Sequence, residues 1–141
     1  MKNPVPQGKY VPATRFGFLI MTAGMTNRKD GVLQMAGKVK ADEPLETYKD
    51  SVVLAASNAL TAARNKLAEG EEIAQVMRME VLINAEDGFV NHAKLADFAS
   101  EYLVEQLGQA GVCARAAIGM GTLPKEAVVE IMLTVAVKEK E

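Results

Sequence analysis

Two side chains are placed where chemistry on a small acid could be done: Arg115, in a run of small residues, and Glu130, inside an apolar run. A charge in the middle of a strand must be solvated, paired or used. Residues 112–120 and 128–137 both read as strands, and the Gly119, Gly121 and Leu123-Pro124 segment between them reads as a turn. The expectation is an antiparallel return that brings the guanidinium and the carboxylate into one neighbourhood.

Side chains on a strand alternate between faces. Arg115 then shares a face with Cys113, Ala117 and Gly119, all too small to crowd it. On the last strand Val129, Ile131, Leu133, Val135 and Val137 form one apolar face, with Glu130, Met132, Thr134 and Ala136 opposite. Glu130 is the only ionisable group of that strand before the Lys138-Glu139-Lys140-Glu141 tail. Spacing alone leaves a structural Arg-Glu pair as open as a functional one.

At 141 residues and 49% apolar content, the chain is sized for one domain with a real core. Its 16 basic and 18 acidic residues leave a net charge of −2, which argues against a nucleic-acid partner. Only 5% of the residues are aromatic, so stacking platforms for single strands are scarce. No apolar stretch is long enough for a membrane span, and Met1-Lys2-Asn3-Pro4 lacks the apolar core of a secretion signal. The expectation is a soluble, cytoplasmic protein. The one cysteine, Cys113, excludes an internal disulfide, and the one histidine, His92, reads as a solvated or capping residue near a helix start.

The elements that must position Arg115 and Glu130 follow from the periodicity. Pro4, Pro6, Gly8 and Pro12 suit an extended lead-in that places Tyr10. Residues 16–23 and 32–39 read as a hairpin around the Asn27–Gly31 turn. Asp42 is a candidate cap for a helix over about 45–68, with Val52, Ala56, Ala59, Leu60, Ala63 and Leu67 at helical spacing. Residues 75–84 alternate, with Met77, Met79, Val81 and Ile83 on one face. Asn91 caps a second helix over about 92–107, with Val90 and Leu95 at staple positions and Gly108 as the stop. The order strand, strand, helix, strand, helix, strand, strand is an α+β pattern in which two helices cover one face of the sheet. The opposite face is too apolar for water, and a second copy of the chain is the simplest cover.

The chain resembles the Rid family, YjgF-like proteins formerly called L-PSP endoribonucleases, and within it the branch labelled endoribonuclease L-PSP/chorismate mutase-like. The matching stretches are Gly8-Lys9-Tyr10-Val11-Pro12-Ala13, Thr22-Ala23-Gly24, Gly37-Lys38-Val39, Asn58-Ala59-Leu60, and Ala114-Arg115 through Leu123-Pro124 to Val129-Glu130. The resemblance implies a chorismate-mutase-like fold, a mixed sheet of about six strands with two helices on one face, assembled as a homotrimer with clefts between subunits. It implies hydrolysis of reactive 2-imino or enamino acids to 2-oxo acids and ammonia, with no metal or organic cofactor. Arg115 would grip the substrate carboxylate, as a planar fork suits, and Glu130 would orient or deprotonate the attacking water. Backbone near Gly24 and Ala117 would seat the ligand, and Tyr10 would line the cleft. If close, Arg115 would keep Glu130 ionised.

The chain also departs from the deaminating members. Ala23 stands where they commonly have serine, Ala117 where they have cysteine, and Asp97 or a neighbour where they have asparagine. Lost hydrogen-bonding groups change what a fixed site can select. A non-catalytic trimer that binds small carboxylates is therefore the alternative, with ribonuclease, the historical label, third because of the acidic charge balance.

Overall fold

The last strand organises the molecule, because its apolar face runs without a break. The computed structural model describes residues 2–141. In chain order the elements are β1 (Ala13–Phe16), β2 (Leu19–Thr22), β3 (Met25–Thr26), β4 (Arg28–Lys29), β5 (Val32–Leu33), α1 (Lys49–Arg64), β6 (Glu71–Asn84), α2 (His92–Leu107), β7 (Ala114–Met120) and β8 (Val129–Glu139). Six strands form a mixed sheet in the order β1-β2-β8-β6-β7, and β3 continues beside β8 where β2 leaves off. Val129, Ile131, Leu133, Val135 and Val137 of β8 are all buried, facing α1 and α2, which pack against each other on that side.

This is the α+β arrangement expected, with one correction that matters for the site. β7 and β8 are not neighbours: β6 lies between them, parallel to β7 and antiparallel to β8. The physical reason is the β6–α2–β7 crossover, which returns the chain parallel to β6 on its free side. Residues 121–128, with a short 3-10 turn at Pro124–Glu126, then carry the chain past β6 to its other edge. Such a connection is longer than the loops that close tight hairpins.

Smaller corrections follow from local backbone chemistry. The run 16–23 is not one strand. It is broken at Gly17, with φ of +60°, so that β1 and β2 form the first hairpin. The Asn27–Gly31 turn does close a hairpin, β4–β5, but a two-residue ribbon outside the main sheet; Asp30 and Gly31 supply its positive φ values, 51° and 80°. The first helix enters through a 3-10 turn at Leu45–Tyr48 behind Pro44, not through an Asp42 cap, and its α-helical part ends at Arg64. β6 begins at Glu71 and carries two irregularities, between Ile73 and Gln75 and between Val76 and Arg78. The second turns Met77 out to 49% exposure and puts Val76 into the core in its place. α2 has the expected bounds and stops at Gly108, but Asn91 makes no side-chain cap bond. Val90 is 79% exposed, so Phe89, and not a Val90 staple, covers the helix entry.

The sheet's second face is apolar as expected. Leu19, Met21 and Ile118 are each about half exposed or more and share that face with Glu130, Met132, Thr134 and Ala136, as the pairings Leu19 with Ala136, Met21 with Thr134, and Ile118 through Leu82 with Glu130 require.

Candidate functional site

Strand register places the two charged residues on opposite sides of the sheet. Arg115 is paired with Met79, which is paired with Leu133, and both partners are buried on the helix-covered face. Glu130 is paired with Leu82 on one side and Thr26 on the other. It lies three residues from Leu133, so alternation turns it to the open face. The structure does not bring Arg115 and Glu130 together within one protomer. The antiparallel return on which their meeting depended does not exist.

Arg115 has other partners. Its Nη1 donates to Asp97 Oδ1 at 2.8 Å and Ser100 Oγ at 2.9 Å, and its Nη2 donates to the carbonyl of Ala93 at 3.2 Å. All three belong to α2, so the guanidinium ties β7 to the helix that crosses over it. Within one protomer this is an Arg-Asp pair and not an Arg-Glu one. Asp97 and Ser100 stand at i and i+3 on one helix face, a spacing legible in the sequence but without meaning until α2 is known to lie over β7.

Glu130 is half-buried, and among the described residues no hydrogen bond or ion pair reaches its carboxylate. Burial pushes its pKa up from the ordinary 4.5, and no neighbouring cation pulls it back. Within one protomer, therefore, Arg115 does not act on the Glu130 carboxyl. The carboxyl is packed on Gly24: a Cβ on that residue would lie 2.7 Å from Glu130 Cδ and 3.0 Å from Cγ. A side chain at this position would push the carboxyl aside.

The remaining sequence-predicted residues divide between two concavities. Tyr10 and Gly24 line a cavity of about 290 Å³ at the edge of β3, between the N-terminal segment and α1. Tyr10 is held there by its hydroxyl, which accepts a hydrogen bond from the Gln7 N–H at 2.9 Å. Asn58 of α1 forms part of the wall and braces it, donating to the carbonyls of Thr26 and Arg28 at 3.1 and 2.8 Å. Arg115 and Ala117 line a separate surface depression with His92 and Gly119. His92 is not simply solvated: its ring meets Phe89 edge-on at 5.0 Å, and its Nε2 lies 2.7 Å from where a Gly119 Cβ would be. Arg28, in the first cavity, was not singled out by sequence reasoning, because its only mark there is a place in a turn. Among the described residues no cluster of three or more His, Cys, Asp or Glu side chains is arranged to hold a metal ion.

The family described as "YjgF/chorismate mutase-like, putative endoribonuclease" matches residues 4–137. The chain belongs to this family. Among solved structures, it is similar to the protein Atu1372 of unknown function from Agrobacterium tumefaciens, at 30% identity and TM-score 0.82 over 95% of this chain and 86% of that one. A Shewanella oneidensis protein described as a "putative endoribonuclease" matches at 26% identity and TM-score 0.84, over 96% and 90% of the two chains. Escherichia coli TdcF, solved with bound serine, shares the fold at 21% identity and TM-score 0.65, over 95% and 92%. Among curated proteins none matches the chain by sequence. No helix of the described residues is long and apolar enough to cross a membrane.

Proposed function

We propose that this YjgF-family chain is a binding protein for a small nitrogen-bearing or 2-oxo acid, which it receives beside Glu130 in a cleft completed by a neighbouring protomer. The observation that carries this reading is a half-buried carboxyl, raised in pKa by burial, with no cation beside it among the described residues. Such a group is short of hydrogen-bond donors, and a ligand N–H or a protonated carboxyl supplies one. The serine found in TdcF is a ligand of that class, though it belongs to that protein alone. Support for a second protomer comes from the apolar open face around Glu130, where Leu19, Met21 and Ile118 stand exposed. A homotrimer is the assembly that suits it, and a monomer by light scattering would overturn it.

Hydrolysis of 2-imino acids is the second reading. A carboxyl with its pKa raised by burial is suited to take a proton from water and return it. Against it stands the engagement of Arg115 with Asp97, Ser100 and Ala93 of α2, on the sheet face opposite Glu130. The two readings separate in one pair of assays on the full chain. Binding predicts that 2-oxobutyrate raises the melting temperature while ammonia release from imines generated by an amino-acid oxidase proceeds at its uncatalysed rate. Accelerated release that is lost in Glu130→Gln would replace binding with catalysis. Silence in both assays would remove both readings.

A further inference from the structure

We infer that the cavity beneath Tyr10 is an anion-binding site with Arg28 as its receiving group. The inference deepens the proposed function and rests on it in one respect, the ligand-facing role of Gly24, the residue that borders both this cavity and the Glu130 carboxyl.

The cavity's charge runs against the chain's. The protein as a whole carries −2, yet Lys2, Arg28 and Lys29 line this one space against Asp30 alone. Among the described residues no carboxylate lies within ion-pair distance of any of those three cations. Arg15 and Arg115, by contrast, each have a carboxylate partner, Glu71 and Asp97. Arg28 differs because, among the described residues, only one of its nitrogens is engaged, Nη1 donating to the carbonyl of Gly31 at 2.9 Å. That bond runs within the Asp30-Gly31 turn and fixes the guanidinium, while Asn58 fixes the Arg28 carbonyl from α1. A partly buried, pre-positioned guanidinium with donors left over is the arrangement that recognises a carboxylate or phosphate oxyanion.

The volume sets the ligand's size. About 290 Å³ admits a small acid and little more. Its roof is the N-terminal segment, held by the Gln7–Tyr10 bond and by Asn65 Nδ2 donating to Asn3 Oδ1 at 2.8 Å. A ligand with its oxyanion on Arg28 would lie against the wall formed by Gly24, Thr26 and Asn58.

The test is titration calorimetry on the full chain with two probes, 2-oxobutyrate and inorganic phosphate, which separate carboxylate from phosphate as the source of the oxyanion. Wild type binds at least one of them, and Arg28→Gln weakens that binding by about tenfold or more, as loss of a charged hydrogen-bond donor should. Lys94→Gln, which removes an exposed charge on α2, leaves it within about twofold. Should Arg28→Gln fail to fold, the Lys2→Gln/Lys29→Gln double variant must still weaken binding several-fold and flatten its salt dependence. The inference is overturned if neither probe binds wild type, or if Arg28→Gln binds as wild type does. Glu130→Gln tells the two readings apart: lost binding there with Arg28→Gln intact sinks this inference alone, and the converse pattern sinks the Glu130 reading while Arg28 stands.

Discussion

Arg115→Gln separates a structural arginine from a substrate clamp, and its cost can be worked from three contacts. The guanidinium donates to Asp97, Ser100 and the Ala93 carbonyl. The Asp97 side chain is 56% exposed, so water takes over its solvation when the partner is lost, and the ion pair counts as a surface one worth about 0.5–1 kcal/mol. The bonds to half-buried Ser100 and to the Ala93 carbonyl add about 0.5–1 kcal/mol each. The sum is about 2 kcal/mol, which for a domain of this size is a fall of about 4–8 °C in melting temperature. Asp97→Asn keeps a hydrogen-bond acceptor and loses only the screened charge, so its fall should be about 1–2 °C. Differential scanning calorimetry with and without 2-oxobutyrate reads both quantities. A structural role predicts a lower melting point with the ligand-induced rise intact. An unchanged melting point together with a vanished ligand response would refute the reasoning and return Arg115 to the cleft.

Other perturbations test the remaining geometry. Gly24→Ala would put a methyl 2.7 Å from Glu130 Cδ, where ordinary contacts are about 3.5–4 Å, so the carboxyl must move by roughly 1 Å; ligand affinity should fall at least as far as in Glu130→Gln while the melting point changes little, and wild-type affinity would contradict the placement of the site. Gly111→Ala meets backbone and not a movable side chain, with its Cβ 2.6 Å from the Leu103 carbonyl carbon and 2.9 Å from Val104 N, and should destabilise by about 1–3 kcal/mol or more in urea unfolding. The Arg15 guanidinium and the Ala68 N–H hold Glu71 down from 4.5 to about 2. Because that folded value is depressed, its stabilisation is complete above pH 4.5 and is lost as the pH falls toward 2. Glu71→Gln should therefore flatten the stability curve between those limits, and an unchanged acid limb would show that the Arg15 pair contributes nothing there. Glu130 works the other way: its raised value means that protonation favours the fold, so Glu130→Gln should gain stability relative to wild type above pH 4.5.

The elements with strong local signals were legible in the chain. α2 follows its periodicity from His92 to Leu107 and stops at a glycine, and β8 alternates as the spacing requires. The apolar second face could be read as well, because alternation on a strand depends only on whether a position is odd or even. The irregularities of β6 could not: a bulge shifts that parity, and the misreading of Met77 for Val76 is its direct consequence.

Which strands are neighbours is a different kind of fact. The stretch between Arg115 and Glu130 reads equally well as a hairpin or as a path around another strand, because the partner that decides it, β6, lies some thirty residues earlier in the chain. Once β6 is inserted, register sends the guanidinium toward the helices and the carboxylate toward the open face. Residue types and spacing determined the family's secondary structure, the apolar faces and the residues worth testing. Tertiary structure alone decided their company: it gave Arg115 to Asp97, left Glu130 against Gly24 without a cation, and placed Arg28 beside Tyr10, because long-range strand pairing sets which side chains share a space.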